Sequence, residues 1–584
     1  MLAWVLSLLT LATVLLMVPR TGRYLFAVFA EQPQPRLDRW LLPLEQALLR
    51  PLGAAAGPVR GTDHSPESST DRSKDLGTES GEEDGEDGGP WAYLQPLLLD
   101  NLCFAVVAFA LLALQPAWLN PLGWPGLRWD LALHTTLSFL TNTDQQHLIP
   151  ERSLGNLAQL GAIQFLMFVS AATGLAVGFA VIRGISGRPL GVFRRDLVRA
   201  LTRVLIPASL LLAVLLLLAG VPMTLAPPLE ITTLEGAPQL LPRGPIALFE
   251  AIKQLGENGG GFVAANSAHP YENPSLFTDL LETGAMLLIP AATIDAFGRF
   301  IGNRRQSWWL LGLVFALLGL ELLLAIPTEL HGNPLLGPWL QGANLQGKEL
   351  RIGAGLSALW AAVSTGTMTG ASNASIDALL PLSNLLTLFN LLLQVVFGGQ
   401  GTGIATLLVY VLLTVFLTGL MVGRTPEFLG RKLGRQEVMW ASFVLLAHPV
   451  LVLIPAAITL AAGATFAGVG NPGPHGISEV VYEYASAAAN NGSGMAGLAN
   501  ATLWWNLSTS VSLLAGRYLP IAALLALAAG FRRKPALEPG RGTLRTDTAL
   551  FTGVTAVVVV ILGVLSFFPV LALGPIADAF LVVR

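Results

Sequence analysis

Cysteine is almost missing from the 584 residues: Cys103 is the only one. A disulfide within the chain is excluded, and so is a cysteine-rich zinc site. Charge is scarce as well. Asp, Glu, Lys and Arg make up 12% of the residues, about half the load of a soluble domain. The net charge is only −3, from 34 basic and 37 acidic residues, so the basic surface of a nucleic-acid binder is lacking. No G-x-x-x-x-G-K-S/T loop is present to cradle phosphates, and no large polar domain could house a nucleotide. What fills the chain is apolar: 53% of residues are hydrophobic and the mean hydropathy is +0.61. Such a chain asks for a bilayer as solvent, and at roughly 20 apolar residues per crossing it has room for about ten spans.

Apolar runs lie at 2–18 and near 93–114, 157–182, 202–220, 276–298, 308–326, 384–422, 438–462, 502–529 and 549–572. The first has no basic residue before it and no small-residue cleavage site after it, which predicts a retained span rather than a signal peptide. Arg and Lys cluster after the odd-numbered spans: Arg20 to Arg60, Arg183 to Arg199, Arg299 to Arg305, Arg424 to Arg435, and Arg532 to Arg545. The positive-inside rule then predicts cytoplasmic Arg-rich loops and both termini outside. Residues 63–89 hold ten acidic and two basic residues with almost no apolar ones. That stretch cannot bury enough surface to fold and is predicted to be an acidic disordered cytoplasmic loop.

Four of the outside loops share a pattern: a short semi-apolar run, an Asn/Gly/Thr cluster, then the next span. The clusters are Thr141, Asn142 and Thr143; Asn258, Gly259, Gly260 and Gly261; Thr369 and Gly370, preceded by Met368; and Asn490, Asn491 and Gly492. From Thr143 to Gly259 is 116 residues, then 111 to Gly370 and 122 to Gly492, a fourfold internal repeat. One such cluster alone is equally a turn or a helix-packing site. Four at near-constant spacing on one side predict re-entrant half-helices meeting at an axis. Their negative C-terminal ends favour a cation, Gly frees the backbone to turn its carbonyls inward, and neutral oxygens hold K⁺ in place of its hydration shell. A divalent site would show a ring of carboxylates instead.

The expected fold is an all-α polytopic membrane protein, with ten transmembrane helices and four membrane–pore–membrane repeats around a pseudo-fourfold pore. As a single membrane domain, 1–584, it divides into a first span and cytoplasmic segment at 1–62, the acidic loop at 63–89, repeats at 93–182, 202–298, 308–422 and 438–529, and a last span at 549–572. Span seven is too long for one crossing and carries Phe397-Gly398-Gly399-Gln400-Gly401-Thr402-Gly403, whose glycines predict a break or kink midway. Arg517 lies within span nine, where a charge marks a functional site or snorkels to the surface.

The stretches GENGGGFVAANSAHPYENPS, VVFGGQGTG, MVGRTPEFLGRKL, NPGPHGISEV, AANNGSG and LALGPIA resemble the signatures of the KdpA family. Its members are the potassium-binding, channel-like subunits of the bacterial Kdp potassium-transporting ATPase. The resemblance covers nearly the whole chain outside the acidic stretch. It implies a chain that is not an enzyme by itself, that binds K⁺ as the transported ion and no nucleotide, and that sits in the bacterial inner membrane in contact with lipid. The implied partners are a KdpB-like P-type ATPase catalytic subunit, a KdpC-like subunit and a small KdpF-like subunit, with no nucleic acid. Carried over residue by residue, the filter comprises Asn142 and Thr143; Asn258, Gly259 and Gly260; Met368, Thr369 and Gly370; and Asn490, Asn491 and Gly492. The departures are Glu257 for the family's Thr, Thr369 for its Cys and Ala489 for its first Asn. Glu257 either brings a carboxylate toward the pore or caps a backbone NH. The resemblance also assigns gating or coupling roles to Gln146, Gln394, Gly398, Gly399 and Arg517, with Gln394 standing where relatives carry an acid. A free-standing Trk/Ktr-like K⁺ channel-transporter is the alternative, though its relatives have one Gly per filter. Inverted-repeat secondary transporters fit less well, because these four loops all enter from one side.

Overall fold

The structure is a computed structural model that describes residues 1–52, 89–115, 120, 123–333, 342–536 and 545–583. The predicted acidic loop lies outside the described residues, apart from Gly89. Among the described residues, ten helices are long and apolar enough to cross a membrane.

Helix α1 (Leu2–Phe29) is followed by an amphipathic helix, α2 (Pro35–Leu49). A first unit then comprises α3 (Gly89–Leu114), a short α4 (Trp129–Leu140) and α5 (Asn156–Ile185). The second comprises α6 (Phe193–Leu218), α7 (Ile246–Leu255) and α8 (Leu276–Phe300). In the third, α9 (Arg304–His331) and α10 (Ala354–Gly366) lead to a span in two pieces, α11 (Pro381–Leu393) and α12 (Thr402–Met421). The fourth comprises α13 (Arg435–Ala461), α14 (Pro474–Ala489) and α15 (Leu503–Arg532), and α16 (Ala549–Leu571) follows. Two short antiparallel hairpins, Leu229–Thr232 with Pro238–Leu241 and Glu427–Phe428 with Arg431–Lys432, interrupt an otherwise helical chain. Neither hairpin nor α2 is foreseen by the apolar pattern.

The four short helices α4, α7, α10 and α14 run to 12, 10, 13 and 16 residues. At about 1.5 Å rise per residue none reaches across a ~30 Å hydrocarbon layer. Each is packed inside the protein, where a helix ending at membrane depth is tolerated. Burial grades outward from them. The apolar window of α5 is 89% buried, against 22% for those of α1 and α3, so α5 is central and α1 and α3 form part of the lipid-facing shell.

Helix starts follow side-chain chemistry. Ser275, Asn303, Thr502 and Thr548 each accept a bond from a free backbone amide at the start of α8, α9, α15 and α16. The Arg-rich start of α6 is neutralised by acids: Arg194 meets Asp100 at 2.8 Å, Arg199 meets Glu31 at 3.0 Å, and Arg203 meets Glu45 at 2.6 Å and Asp38 at 2.7 Å. Arg183 pairs with Asp196, which also accepts the Tyr93 hydroxyl at 2.9 Å. The Asp38 and Glu45 bonds dock α2 against the start of α6, and explain why an amphipathic helix with two acids forms there.

Candidate functional site

Each short helix ends in a segment with the same backbone signature. Asn142, Glu257, Met368 and Asn490 have φ of +61°, +51°, +55° and +56°. Two residues later, Asp144, Gly259, Gly370 and Gly492 have φ of +56°, +86°, +79° and +97°. Between them, the amides of Thr143, Asn258, Thr369 and Asn491 donate back to the carbonyls of Ser138, Lys253, Ser364 and Ser486 in their own short helices, at 3.0, 2.9, 2.9 and 2.9 Å. A strand alternating the two signs of φ turns successive carbonyls to one side, which is the backbone that carbonyl filters use.

This alignment corrects the sequence register by one residue in the first copy. Thr143 matches Asn258, not Gly259, so the first interval is 258 − 143 = 115 residues. The slip arose because the first copy has Asp144 where the others have Gly.

The segments close on one another. A Cβ at Gly259 would collide with the Thr369 carbonyl, one at Gly370 with the Asn491 carbonyl, and one at Gly492 with the Thr143 carbonyl. Segments two, three, four and one therefore follow each other around a ring. Side-chain amides tie segments one and two, four and one, and four and three. Asn142 Nδ2 donates to the Glu257 carbonyl at 2.7 Å, Asn490 Nδ2 to Thr143 Oγ1 at 2.9 Å, and Asn491 Nδ2 to the Ser364 carbonyl at 3.1 Å. Gln146 exchanges two bonds with Gly261, donating at 3.1 Å and accepting at 3.0 Å. Gln146 thus stands beside Gly261 and lines a cavity with Gly259, Gly370 and Gly492. Gly260 packs against Phe139 and Asp144. Both carboxylate oxygens of Glu257 are buried without a hydrogen bond among the described residues, so the capping alternative for Glu257 is not realised.

Beneath the ring the broken span takes shape. Gln394 ends α11 with φ +54° and its amide donates to His448 Nδ1 at 2.9 Å, while His448 Nε2 meets the Leu391 carbonyl at 3.1 Å. A single His448 tautomer, protonated on Nε2, serves both bonds. Gly398 donates to the Gly366 carbonyl at the end of α10 at 2.9 Å, and Gln400 Nε2 reaches the Leu255 carbonyl at the end of α7 at 3.4 Å. Gly399 has Met368 as a neighbour. Gly401 lies so close to Gly174 of α5 that a Cβ on it would collide with that backbone. The Gly-rich loop therefore lies against the ends of α7 and α10 and against the middle of α5. Arg517 is 4% exposed and donates to the Ser170 carbonyl in mid-α5 at 3.1 Å. Its guanidinium ends inside the protein, which excludes the snorkelling alternative. Arg517, Gln394, His448, Asn490 and Thr402 line a cavity of about 290 Å³ on this side.

Residues that sequence reasoning missed stand behind the ring. In α7, Lys253 takes the place of the serines of the other three copies, and its ammonium donates to Glu272 at 2.8 Å, Ser267 at 2.7 Å and Glu250 at 3.1 Å, all fully buried. Asn266 donates to the Gly259 carbonyl at 2.8 Å and accepts from the Ser372 amide at 3.3 Å, joining segments two and three. His134 stacks on His147, which bonds Glu483 at 2.9 Å and Asn506 at 2.8 Å. The charges within LFEAIKQL were the available signal, because a lysine and a glutamate in a re-entrant run need buried partners.

Ten spans, with four re-entrant segments converging on one ring, define a polytopic helical membrane protein of the membrane–pore–membrane class. Residues 74–580 match KdpA, the potassium-transporting ATPase A subunit family, and the chain belongs to that family. It is 51% identical to a potassium-transporting ATPase potassium-binding subunit of Synechocystis sp., over 98% of this chain and 98% of that protein. It is 41% identical to the protein of that name from Geobacillus kaustophilus, over 98% of each chain. Among solved structures, the potassium transporter TrkH from Vibrio parahaemolyticus shares the fold with a TM-score of 0.50 at 18% identity, covering 74% of this chain and 85% of that one.

Proposed function

We propose that this chain binds and selects K⁺ from outside through the four-segment ring and passes it to a P-type ATPase partner for ATP-driven, high-affinity uptake. The observation that carries the proposal is the repeated pair of left-handed positions two residues apart, closing into a ring whose interfaces leave room for glycine alone at three places. The ligands are the backbone and neutral side-chain oxygens of Asn142 and Thr143; Asn258, Gly259 and Gly260; Met368, Thr369 and Gly370; and Asn490, Asn491 and Gly492. Neutral oxygens suit a weakly hydrated monovalent ion, which must leave as readily as it enters. The loop at Gly398 and Gly399, with Gln394, acts as a constriction under the ring, and Arg517 limits passage beyond it. The outer face holds Gln146 and both termini, and the Arg-rich loops face the cytoplasm.

ATP hydrolysis belongs to a KdpB-like catalytic subunit, and KdpC-like and KdpF-like subunits complete the assembly. Identity near one half over almost the full length to proteins named as ATPase subunits favours this reading over a free-standing transporter. The test is purification of the chain from native membranes, with ATP hydrolysis measured against K⁺. Co-purification of an ATPase whose activity K⁺ stimulates at low concentration is expected. A chain that purifies alone and mediates K⁺ flux without ATP would refute the coupling.

A further inference from the structure

We infer that the Asp144 carboxylate is an additional cation-binding site on the outer rim of the ring, specific to this chain's first segment. The inference rests on reading the ring as an ion filter.

Asp144 occupies the position held by Gly259, Gly370 and Gly492 in the other segments. At those three places a side chain is excluded by the neighbouring carbonyl, and a positive φ disfavours any residue with a Cβ. The first segment nonetheless carries a carboxylate there, at φ +56°. Asp144 is only 2% exposed and neither carboxylate oxygen has a hydrogen-bond partner among the described residues. The Gly260 amide, the donor facing it, falls outside bonding geometry. The Lys253 ammonium acts on it only at longer range and is already held by Glu250, Ser267 and Glu272.

A buried carboxylate with no partner is costly, and it relieves that cost by keeping its proton or by exchanging the proton for a cation. Asp144 also lines a cavity of about 510 Å³ together with Gln146, Gly259, Gly370, Gly492 and Ser493. With the ring read as an ion filter, this cavity is its vestibule on the side of Gln146. A cation there gains a full negative charge in a site that is otherwise neutral, which concentrates cations at the entrance. One carboxylate is too few to hold a divalent ion permanently, since such sites gather several charged oxygens. It is enough to favour a divalent ion of K⁺ size over K⁺ itself. Ba²⁺ is that ion, and it serves as the probe.

The test uses the complete complex, with ATP hydrolysis followed against K⁺ and then against Ba²⁺ at fixed K⁺. K⁺ stimulation of the wild type reports the filter, so its absence would strike the filter reading and not Asp144. Given stimulation, Ba²⁺ should inhibit in competition with K⁺. Asp144→Asn should raise the half-inhibiting Ba²⁺ concentration by about tenfold or more, as expected for losing one charged ligand. Asp144→Gly, which installs the residue of the other three segments, should do the same. Wild type insensitive to Ba²⁺, or either assembled variant with wild-type sensitivity, overturns the inference. Failure of both variants to assemble would make the carboxylate a structural tie and overturn it too.

Discussion

Asn258 Nδ2 donates to Asn142 Oδ1 at 2.9 Å, joining two residues 116 positions apart in the first and second segments of the ring. Asn142 in turn donates to the Glu257 and Gly256 carbonyls at 2.7 and 3.1 Å and accepts from Ser170 Oγ at 2.9 Å. One amide thus fixes the spacing of two segments and anchors both to α5. Asn142→Ala would leave the buried Asn258 amide with a longer bond to the Met167 carbonyl at 3.3 Å and a marginal one to Ser170 at 3.4 Å. An unmade buried hydrogen bond costs about 1–3 kcal/mol. The K⁺ concentration for half-maximal ATPase stimulation should therefore rise by about tenfold or more. An unchanged concentration would show that the Asn142 amide does not set the ring's width.

Gly259 makes a sharper case. Its φ is +86° and a Cβ would collide with the Thr369 carbonyl of the next segment. Gly259→Ala should weaken K⁺ stimulation by about tenfold or more, because a strained backbone costs ~1–3 kcal/mol and the displaced carbonyl belongs to the proposed ligand set. A Cβ added at Gly312 of α9 would meet no neighbouring atom within 4 Å, so Gly312→Ala is the control and should behave as wild type. Equal K⁺ dependence in the two variants would remove the Thr369 carbonyl from the ligand set.

The spans were legible because a bilayer demands long apolar runs, and the broken third-repeat span because glycines crowd between Gln394 and Gly403. The segments were legible through Asn, Gly and Thr, the residues that tolerate a left-handed backbone or offer neutral oxygens. The register of the first copy was not, because Asp144 hides the glycine position that the other copies display. The network of Lys253 with Glu272 was also hidden: its partners come together only after the chain reverses through Asn258–Asn266, and no helical or strand period marks such a reversal. Likewise α2 is held by Arg203 on distant α6, and a helix with so few apolar residues does not stand out beside long apolar spans.

Sidedness is open to a direct experiment. Leu234, in the hairpin between α6 and α7, is fully exposed, and Arg545 is exposed before α16. In a background without Cys103, Leu234→Cys should react with an impermeant thiol reagent in intact cells. Arg545→Cys should react only after permeabilisation. The opposite pattern would invert the whole topology inferred from the Arg clusters.

His475, at the start of α14, donates from both ring nitrogens, to Asp377 and to Asp578, each at 3.0 Å. The two carboxylates push its pKa up to about 10 from an ordinary value near 6.5. A raised folded-state value means the clamp's contribution is complete below about pH 6.5 and is lost as pH rises toward about 10. His475→Gln should therefore lower the thermal midpoint of the detergent-solubilised protein more at pH 6 than at pH 9. An equal loss at both values would mean that the imidazole is held by packing alone.

Arg517 sits below the ring with one hydrogen bond, to Ser170, and both oxygens of Glu257 lie unbonded within its electrostatic reach. A buried guanidinium so sparsely paired is expensive, with costs for a charge at depth from ~2.5 to over 10 kcal/mol. A fixed positive charge there would repel K⁺, which is the basis for proposing a barrier role for Arg517 in place of a ligand role. Arg517→Gln should keep the K⁺ concentration for half-stimulation within about threefold, since the ring above is untouched. Transport per ATP should fall, or passive K⁺ leak should rise, in proteoliposomes holding the complete complex. Pairing with Glu257 adds a second reading of the same measurement. If Glu257 chiefly balances Arg517, the Glu257→Gln, Arg517→Gln double variant should recover coupling that the single variant loses. Wild-type coupling and leak in Arg517→Gln would reduce the residue to a packing role and end the barrier interpretation.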